Sequence, residues 1–244
     1  MDDRFLADTF DQIGIALTNE QIHMFDTYYD MIVEKNKVMN LTKITDYHEA
    51  VIKHFVDSCS LVLLDDDIYI KKRFTDGASV IDVGTGAGFP GIPLKIIFPQ
   101  IRLTLLDSVN KKLDFLRDVS SELGFTDINI IHGRAEDISH QKGIRESFDF
   151  CVSRAVGNLA ILSEYCLPFV KKNGFFVSYK SERADDELKQ SAHAFSELRG
   201  KLIQEAVFDL PESDISRTLL LIMKTGNTPK IYPRKAGTPT KNPL

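Results

Sequence analysis

The sequence predicts an α/β protein in which a seven-stranded, mostly parallel sheet follows an N-terminal helical extension. From about Phe5 to Leu64, apolar residues recur at helical spacing. After a polar connection, short apolar runs alternate with helical stretches, which is typical of a parallel sheet buried on both faces. No helical stretch separates the last two apolar runs, so we expect them to pair as an antiparallel hairpin.

The helical extension has a recognisable helix start and a recognisable break. Thr18 is followed three residues later by Gln21, and this spacing predicts a capping box for a helix that begins near Glu20. Residues 40–46 are rich in Asn, Thr and Asp, which predicts a loop. The acidic and basic runs within residues 65–73 predict a solvated connection into the sheet.

Seven apolar runs are candidate strands of the sheet. They are Ser79–Val83, Arg102–Asp107, Ile128–Ile131, Phe148–Val152, Phe175–Tyr179, Leu202–Phe208 and Thr218–Met223. The chain of 244 residues is long enough for one large core with an appendage. We therefore expect a helical extension over residues 1–75, a Rossmann-like core over residues 76–224 and a basic C-terminal tail over residues 225–244.

A glycine-rich turn follows the first strand and precedes a helix. This context is the one that places the N–H groups of a helix start over a ligand. Two patterns overlap in the turn. Asp82-x-Gly84-x-Gly86-x-Gly88 is the form found in S-adenosylmethionine-dependent methyltransferases, whereas Gly86-x-Gly88-x-x-Gly91 satisfies the dinucleotide fingerprint.

Three features of the sequence favour the methyltransferase pattern. An acidic residue, Asp82, lies near the end of the first strand, the fourth glycine lies between Pro90 and Pro93, and a pair of strands closes the chain's sheet. Proline is tolerated in the first turn of a helix because the N–H groups there have no intrahelical partner. A dinucleotide-binding reductase remains the alternative.

Three later strand ends carry further candidate residues. Asp107 ends the second strand, where its carboxylate can accept hydrogen bonds from both ribose hydroxyls of an adenosine, or can cap a helix. Around Ala135 and Glu136, a backbone N–H and a carboxylate can contact the Watson–Crick edge of adenine, unless Glu136 caps the next helix. Arg154 follows the fourth strand and can bind a methionine carboxylate or an RNA phosphate; its alternative is an ordinary surface arginine.

The charge of the chain limits its partners. A net charge of −5 argues against a nucleic-acid-binding surface over most of one face, so any RNA-binding surface must be local. The C-terminal tail is the most one-sided basic stretch, because it contains no Asp or Glu; its alternative is a solvated, partly disordered tail. No run approaches the roughly 18 apolar residues of a membrane span. The acidic start lacks an export signal, and we expect a cytoplasmic protein.

The cysteines and histidines do not form the patterns of a disulfide or metal site. Cys59, Cys151 and Cys166 are widely separated, and we expect them to be buried as small apolar residues. The six histidines show no metal-ligand spacing. We therefore expect no metal.

Several motifs together resemble a single family over nearly the whole chain. They are Asn40-Leu41-Thr42, Lys53-His54-Phe55-Val56-Asp57-Ser58, the run from Asp82 to Pro93, Leu106-Asp107-Ser108, Gly133-Arg134-Ala135-Glu136, Ser153-Arg154-Ala155-Val156 and the run from Tyr232 to Pro239. In this order they resemble the RsmG (GidB) family, bacterial methyltransferases that act on guanine N7 in 16S small-subunit rRNA. The set is far more specific than the glycine motif alone.

The resemblance implies a Rossmann-like class I methyltransferase fold with S-adenosyl-L-methionine as cofactor and S-adenosyl-L-homocysteine as product. It also implies a cofactor site that includes Phe89, which would form an aromatic wall beside the cofactor or else staple the following helix. With the residues chosen from the strand ends, the expected cofactor contacts are Gly84, Gly86, Gly88, Phe89, Asp107, Ala135, Glu136 and Arg154.

Methylation of guanine N7 needs no base, because the ring nitrogen attacks with a lone pair, so we expect no catalytic residue. The expected partner is 16S rRNA or the small ribosomal subunit, contacted by Asn40, Arg234 and Lys235. We expect replacement of both basic residues by alanine to weaken RNA methylation without changing cofactor affinity. The chain is expected to act as a monomer, and we expect no interaction with a membrane. The alternatives are a methyltransferase for another substrate, an NAD-binding reductase and a ribosome-assembly factor that retains the fold without activity.

Overall fold

The computed structural model describes residues 2–64, 69–155, 157–181 and 184–244. Two expectations fall partly outside these ranges, because Asp65, Asp66 and Asp67 of the predicted connection and Val156 of the family motif are not among the described residues. In the ranges given, no helix is long and apolar enough to cross a membrane. The same residues contain no group of three or more His, Cys, Asp or Glu able to hold a metal ion.

Helices form the N-terminal extension, as the apolar spacing predicts. They are α1 (Asp3–Asp11), α2 (Asn19–Asn36), α3 (Tyr47–Ala50), α4 (Asp57–Cys59) and α5 (Ile70–Thr75), with a π-helical turn at Val51–Val56 and a 3-10 turn at Ser60–Leu63. The predicted capping box is present, since the Gln21 N–H donates to Thr18 Oγ1 at 3.2 Å and the Thr18 N–H donates to Gln21 Oε1 at 3.0 Å. Residues 40–46 contain neither helix nor strand, which confirms the predicted loop.

The sheet has the seven predicted strands. They are β1 (Ser79–Val83), β2 (Arg102–Asp107), β3 (Asn129–His132), β4 (Phe148–Ser153), β5 (Val170–Lys180), β6 (Gly200–Asp209) and β7 (Ser216–Lys224). Their spatial order is β3-β2-β1-β4-β5-β7-β6. β1 to β5 pair in parallel, whereas β7 runs antiparallel to both β5 and β6, so the closing hairpin is confirmed. β5 starts five residues earlier than predicted, because Val170 already pairs with Phe148 ahead of an irregularity in the ladder.

Helices cover both faces of the sheet. They are α6 (Gly91–Ile97), α7 (Asn110–Glu122), α8 (Ala135–Ile138), α9 (Leu159–Cys166), α10 (Asp185–Gln190), α11 (Ala192–Leu198) and α12 (Thr238–Lys241). One apolar cluster joins α1, α2, α6 and α7 to the first face, and a second joins α9 and α11 to the other. Cys59, Cys151 and Cys166 are buried in these clusters, as expected.

The two ends of the chain lie on opposite faces of the sheet. The N-terminal helices share one continuous core with the sheet, because Phe10, Phe25 and Phe55 belong to the same cluster as residues of β1 and β2. The C-terminal tail follows β7 onto the other face, where Tyr232 and Leu244 contact the second cluster. The tail is therefore a packed segment and differs from the solvated alternative considered above.

Candidate functional site

The candidate site lies where the parallel strands end, beneath the N-terminal helices. It consists of two adjacent cavities, which we call the Asp107 cavity and the Arg154 cavity. The Asp107 cavity has a volume of about 370 Å3 and is lined by Val83, Gly84, Leu106, Asp107, Ser108, Gly133, Arg134, Ala135, Glu136, Ser153, Ala155, Leu162 and Tyr165. The Arg154 cavity has a volume of about 380 Å3 and is lined by Ile44, Lys53, His54, Asp57, Arg154, Ala155, Gly157, Tyr179, Lys180, Ser181, Glu187 and Arg217. Ala155 lines both, so the cavities meet there.

The glycine turn after β1 brings backbone N–H groups to the Asp107 cavity. Gly84 has a φ of +74°, and a Cβ added there would lie 3.4 Å from the Ala155 Cβ, between the two cavities. The Gly86 N–H donates to Asp107 Oδ2 at 2.9 Å. A side chain at position 84 would both strain the backbone and narrow the junction, so this position requires glycine.

Asp82 fixes the turn to the following helix. Its buried Oδ2 accepts hydrogen bonds from the Thr85 hydroxyl at 2.6 Å and from the Gly91 N–H at 2.9 Å. Burial raises the pKa of Asp82 from 3.8 to about 7. A Cβ on Gly91 would lie 2.6 Å from Leu105 Cδ2, so glycine here lets α6 approach the sheet. The acidic residue of the motif therefore holds the start of α6 against the strand.

Two nearly buried carboxylates line the Asp107 cavity. Asp107 is 7% exposed and accepts hydrogen bonds from the N–H groups of Val109 and Gly86. Glu136, in the first turn of α8, is 8% exposed, and its Oε1 accepts a hydrogen bond from the Gly237 N–H at 3.3 Å. Each carboxylate oxygen can accept more than one hydrogen bond. Both groups therefore retain acceptor capacity toward a ligand.

A shared carboxylate organises the Arg154 cavity. Asp57 accepts a hydrogen bond from Arg154 Nη1 on Oδ2 at 3.0 Å and from Arg217 Nε on Oδ1 at 3.2 Å. Arg154 also donates to the Lys53 carbonyl at 3.0 Å, and its guanidinium carbon lies 5.1 Å from the centre of the Phe89 ring. The cluster thus joins two cations to one anion, which leaves the cavity locally basic in an acidic protein.

Arg217 reaches this edge of the sheet because β7 runs antiparallel. The first residues of β7 lie beside the last residues of β5, with Thr218 opposite Lys180. A side chain at the start of β7 therefore joins groups at the carboxyl ends of the parallel strands. The reversed direction of β7 was predictable from the sequence, but the place of Arg217 at this edge also depends on the register with β5.

His54 lies between the loop at residues 40–46 and the glycine turn. Its ring stacks on Phe89 with the ring centres 4.5 Å apart and an interplanar angle of 17°. Its Nε2 is 2.8 Å from Thr42 Oγ1. Burial, together with the nearby Arg154 charge, lowers the pKa of His54 from 6.5 to about 3. The imidazole is therefore neutral at physiological pH.

We expect His54→Gln to flatten the pH dependence of stability. Between about pH 6.5 and about pH 3, His54 binds a proton in the unfolded chain but not in the native protein, because its native pKa is lowered. The free energy of unfolding therefore falls as the pH falls through this range. The wild type should lose about 1.5 kcal/mol more than the variant between about pH 6.5 and about pH 5 in urea titrations. Asp82 is present in both proteins and contributes equally. The exposed His23→Gln is the control; an identical slope in all three proteins would contradict the expectation.

The structure separates the expected cofactor residues into three groups. Gly84, Asp107, Ala135 and Glu136 line the Asp107 cavity, whereas Arg154 lines the Arg154 cavity. The other three expected residues do not line either cavity and support the turn. They are Gly86, Gly88 and Phe89. Asp107 has no part in a side-chain cap of α7, whose N-cap residue is Val109.

The expected RNA contacts also differ in their surroundings. Asn40 and Lys235 are exposed, and Ile44 of the same loop as Asn40 lines the Arg154 cavity. The Arg234 guanidinium instead pairs with the fully buried carboxylate of Glu164 at 2.6 Å. Arg234 and Lys235 are alike in charge but differ in environment, so replacing both by alanine also breaks a buried ion pair and does not test RNA contact alone.

Comparison with known proteins identifies the family. A family model described as "GidB: rRNA small subunit methyltransferase G" matches residues 21–212. The chain belongs to the GidB family. A relative named ribosomal RNA small subunit methyltransferase G, from Alkaliphilus metalliredigens, is 46% identical over 239 residues, which cover 98% of this chain and 97% of that protein. A relative of the same name from Staphylococcus aureus strain Newman is 46% identical over 241 residues, 98% of this chain and 97% of that protein.

Solved structures support the fold of this GidB-family chain. The Methanococcus jannaschii fibrillarin pre-rRNA processing protein superposes with a TM-score of 0.50 at 15% identity, over 63% of this chain and 69% of that chain. At this identity the similarity shows the fold alone. It agrees with the seven-stranded class I methyltransferase fold that the sequence predicts.

Proposed function

We propose that this GidB-family methyltransferase transfers the methyl group of S-adenosylmethionine to N7 of a guanine in 16S rRNA. The Asp107 cavity would bind the cofactor, and the Arg154 cavity would accept the guanine. The observation that carries this assignment is the junction of the two cavities at Ala155, at the carboxyl ends of β1 and β4. One cavity presents carboxylates and the other presents arginines, which suits a cationic methyl donor beside a phosphate-bearing acceptor.

The residues of the Asp107 cavity fit the proposed cofactor. Asp107 would accept hydrogen bonds from the ribose hydroxyls, and Glu136 would accept one from the adenine amino group. Both carboxylates are less than a tenth exposed and held by backbone N–H groups, so they are fixed before a ligand arrives. The Gly84 turn leaves space beside Ala155 that a Cβ would fill. Arg154, across this junction, would bind the methionine carboxylate.

The chemistry requires alignment rather than proton removal. The bound cofactor supplies an electrophilic methyl group, and guanine N7 attacks with a lone pair in the ring plane. His54, which lines the Arg154 cavity and stacks on Phe89, is neutral and hydrogen bonded to Thr42. The role of the protein is then to hold N7 in line with the methyl group and to exclude water. No residue needs to act as a general base.

The proposed RNA surface surrounds the mouth of the Arg154 cavity. Arg217, fixed by Asp57, would contact the RNA backbone beside the flipped guanine. The loop at residues 40–46 borders the same mouth through Ile44. Lys235 is exposed, whereas Arg234 is held by Glu164, so Lys235 is the residue of the C-terminal tail that we expect to contact RNA. A cytoplasmic location, action as a monomer and S-adenosylhomocysteine as the product complete the proposal.

The test is the nucleoside composition of 16S rRNA. We expect one 7-methylguanosine to be absent from small-subunit rRNA of cells that lack this protein and to return when the purified protein and S-adenosylmethionine are added to those subunits. Mass spectrometry of the nucleosides measures both, and S-adenosylhomocysteine should form in equal amount. Methylation at another atom would exclude guanine N7. Saturable NAD binding without S-adenosylmethionine binding would favour the reductase alternative, and binding without product would favour the inactive assembly factor.

A further inference from the structure

The C-terminal segment 233–240 contacts the wall of the Asp107 cavity from outside. We infer that this segment is a working part of the cofactor site: it holds the Glu136 carboxylate in place and thereby makes the site selective for a purine with a 6-amino group. The inference rests on the proposed function, because it assumes that the Asp107 cavity binds the adenosyl part of the cofactor. We call residues 233–240 the clasp.

A buried ion pair anchors the clasp to α9. Glu164 is 0% exposed, and its two carboxylate oxygens accept hydrogen bonds from Arg234 Nε at 2.9 Å and Nη2 at 2.6 Å. The Arg234 backbone N–H donates to the same carboxylate at 2.7 Å. In addition, His140 Nε2 lies 2.9 Å from the carbonyl oxygen of Pro233, the first residue of the clasp. A buried carboxylate with three donors from one residue fixes both the side chain and the backbone of that residue.

Beyond this anchor, the clasp contacts two residues that line the Asp107 cavity. The Gly237 N–H donates to Glu136 Oε1 at 3.3 Å. The Gly237 φ of +82° is the left-handed region that favours glycine, so this N–H can be directed at the carboxylate. The Tyr165 hydroxyl lies 3.1 Å from Thr240 Oγ1. Tyr165 and Glu136 line the same cavity; burial raises the pKa of Tyr165, the contact with Thr240 lowers it, and the Glu136 charge raises it.

These contacts give the clasp a function in recognising the base. A carboxylate can accept a hydrogen bond from a 6-amino group but is repelled by a 6-oxo group, and the difference depends on how firmly the carboxylate is held. Glu136 lies in a short helix of four residues, which provides little support of its own. The clasp supplies that support from a segment about a hundred residues later in the chain.

The test compares two ligands that differ only at position 6 of the purine. S-adenosylhomocysteine carries a 6-amino group, and its S-inosyl analogue carries a 6-oxo group. Isothermal titration of the full-length protein should show that Glu164→Gln weakens S-adenosylhomocysteine binding about tenfold, the loss expected for one hydrogen bond to a charged group. Binding of the S-inosyl analogue should change less than about twofold, so the selectivity between the ligands falls.

Matched variants separate the clasp from general stability. Glu197→Gln neutralises the carboxylate that accepts a hydrogen bond from Tyr232, just before the clasp, and should leave both affinities unchanged. Thr240→Val keeps the Arg234 anchor and should reduce selectivity in the same direction by a smaller factor, which covers the case in which Glu164→Gln fails to fold. Equal weakening of both ligands, or unchanged selectivity in both clasp variants, would overturn the inference. Failure of the wild-type protein to bind S-adenosylhomocysteine would instead overturn the proposed function.

Discussion

Gly88→Ala is expected to lower the free energy of unfolding by about 3 kcal/mol and to abolish methyl transfer. A Cβ at this position would lie 2.6 Å from Tyr28 Oη, 2.8 Å from Ile92 Cγ1 and 2.9 Å from Leu116 Cδ2. The φ of +110° adds backbone strain that any side chain would increase. The Tyr28 hydroxyl also donates to the Ala87 carbonyl at 2.6 Å, so a displaced Tyr28 would release the glycine turn.

Urea denaturation and rRNA methylation measure this effect. Gly124→Ala is the matched control, because Gly124 also has a positive φ, +69°, but an added Cβ there would find no described atom within 4 Å. We expect Gly124→Ala to lower the free energy of unfolding by only about 1 kcal/mol, the cost of a left-handed conformation for alanine, and to keep its activity. Equal stability of the two variants would show that the contact between Tyr28 of α2 and the glycine turn contributes little to the fold.

Arg154→Ala should weaken S-adenosylmethionine binding by about tenfold to a hundredfold, the usual loss for hydrogen bonds to a charged group. Arg154 lies beside Ala155, the residue shared by the two cavities, and its guanidinium lies over Phe89 of the glycine turn. The Arg154 side chain is only 16% exposed, so in the alanine variant few water molecules could replace its hydrogen bonds to the cofactor. Titration calorimetry with the cofactor measures the effect directly.

Arg217→Ala is the matched control for this substitution. Each variant removes one of the two arginines that pair with Asp57, so the loss of stability should be similar. Among the described hydrogen bonds, Arg217 makes none to the glycine turn. We therefore expect Arg217→Ala to keep its cofactor affinity within about twofold of the wild-type value. Its KM for rRNA should rise about tenfold. Normal cofactor affinity in Arg154→Ala would refute the cofactor role. The same loss in both variants would show that Asp57, rather than Arg154, governs the site.

Most of the fold could be predicted from local sequence. The strands follow from short apolar runs, and the start of α2 follows from Thr18 and Gln21, because these signals involve residues within a few positions of each other. The antiparallel β7 follows from the missing helix before it. The early start of β5 at Val170 was not predicted, because it depends on pairing with Phe148 in another strand.

The candidate site was predictable only in part. Gly84, Asp107, Ala135 and Glu136 were chosen from their positions after strands, and they line one cavity because parallel strands end at a common edge. Arg217 was not chosen, because its place at the same edge requires the strand direction and register of β7. Tyr165 was also missed, since it lies on a helix and belongs to none of the motifs considered.

By itself the sequence determined the class of the fold, the edge of the sheet that carries the site and the resemblance to the GidB family, since these depend on local periodicity and on motifs. Only the tertiary structure decided which charges are paired. Asp57 joins Arg154 and Arg217 across 97 and 160 positions of the chain, and Glu164 binds Arg234 across 70. Such pairs form because a charge that leaves water must find an opposite charge or a hydrogen-bond partner nearby in space. Nearness in space is set by the packing of whole elements, so it could not be read from the spacing of residues along the chain.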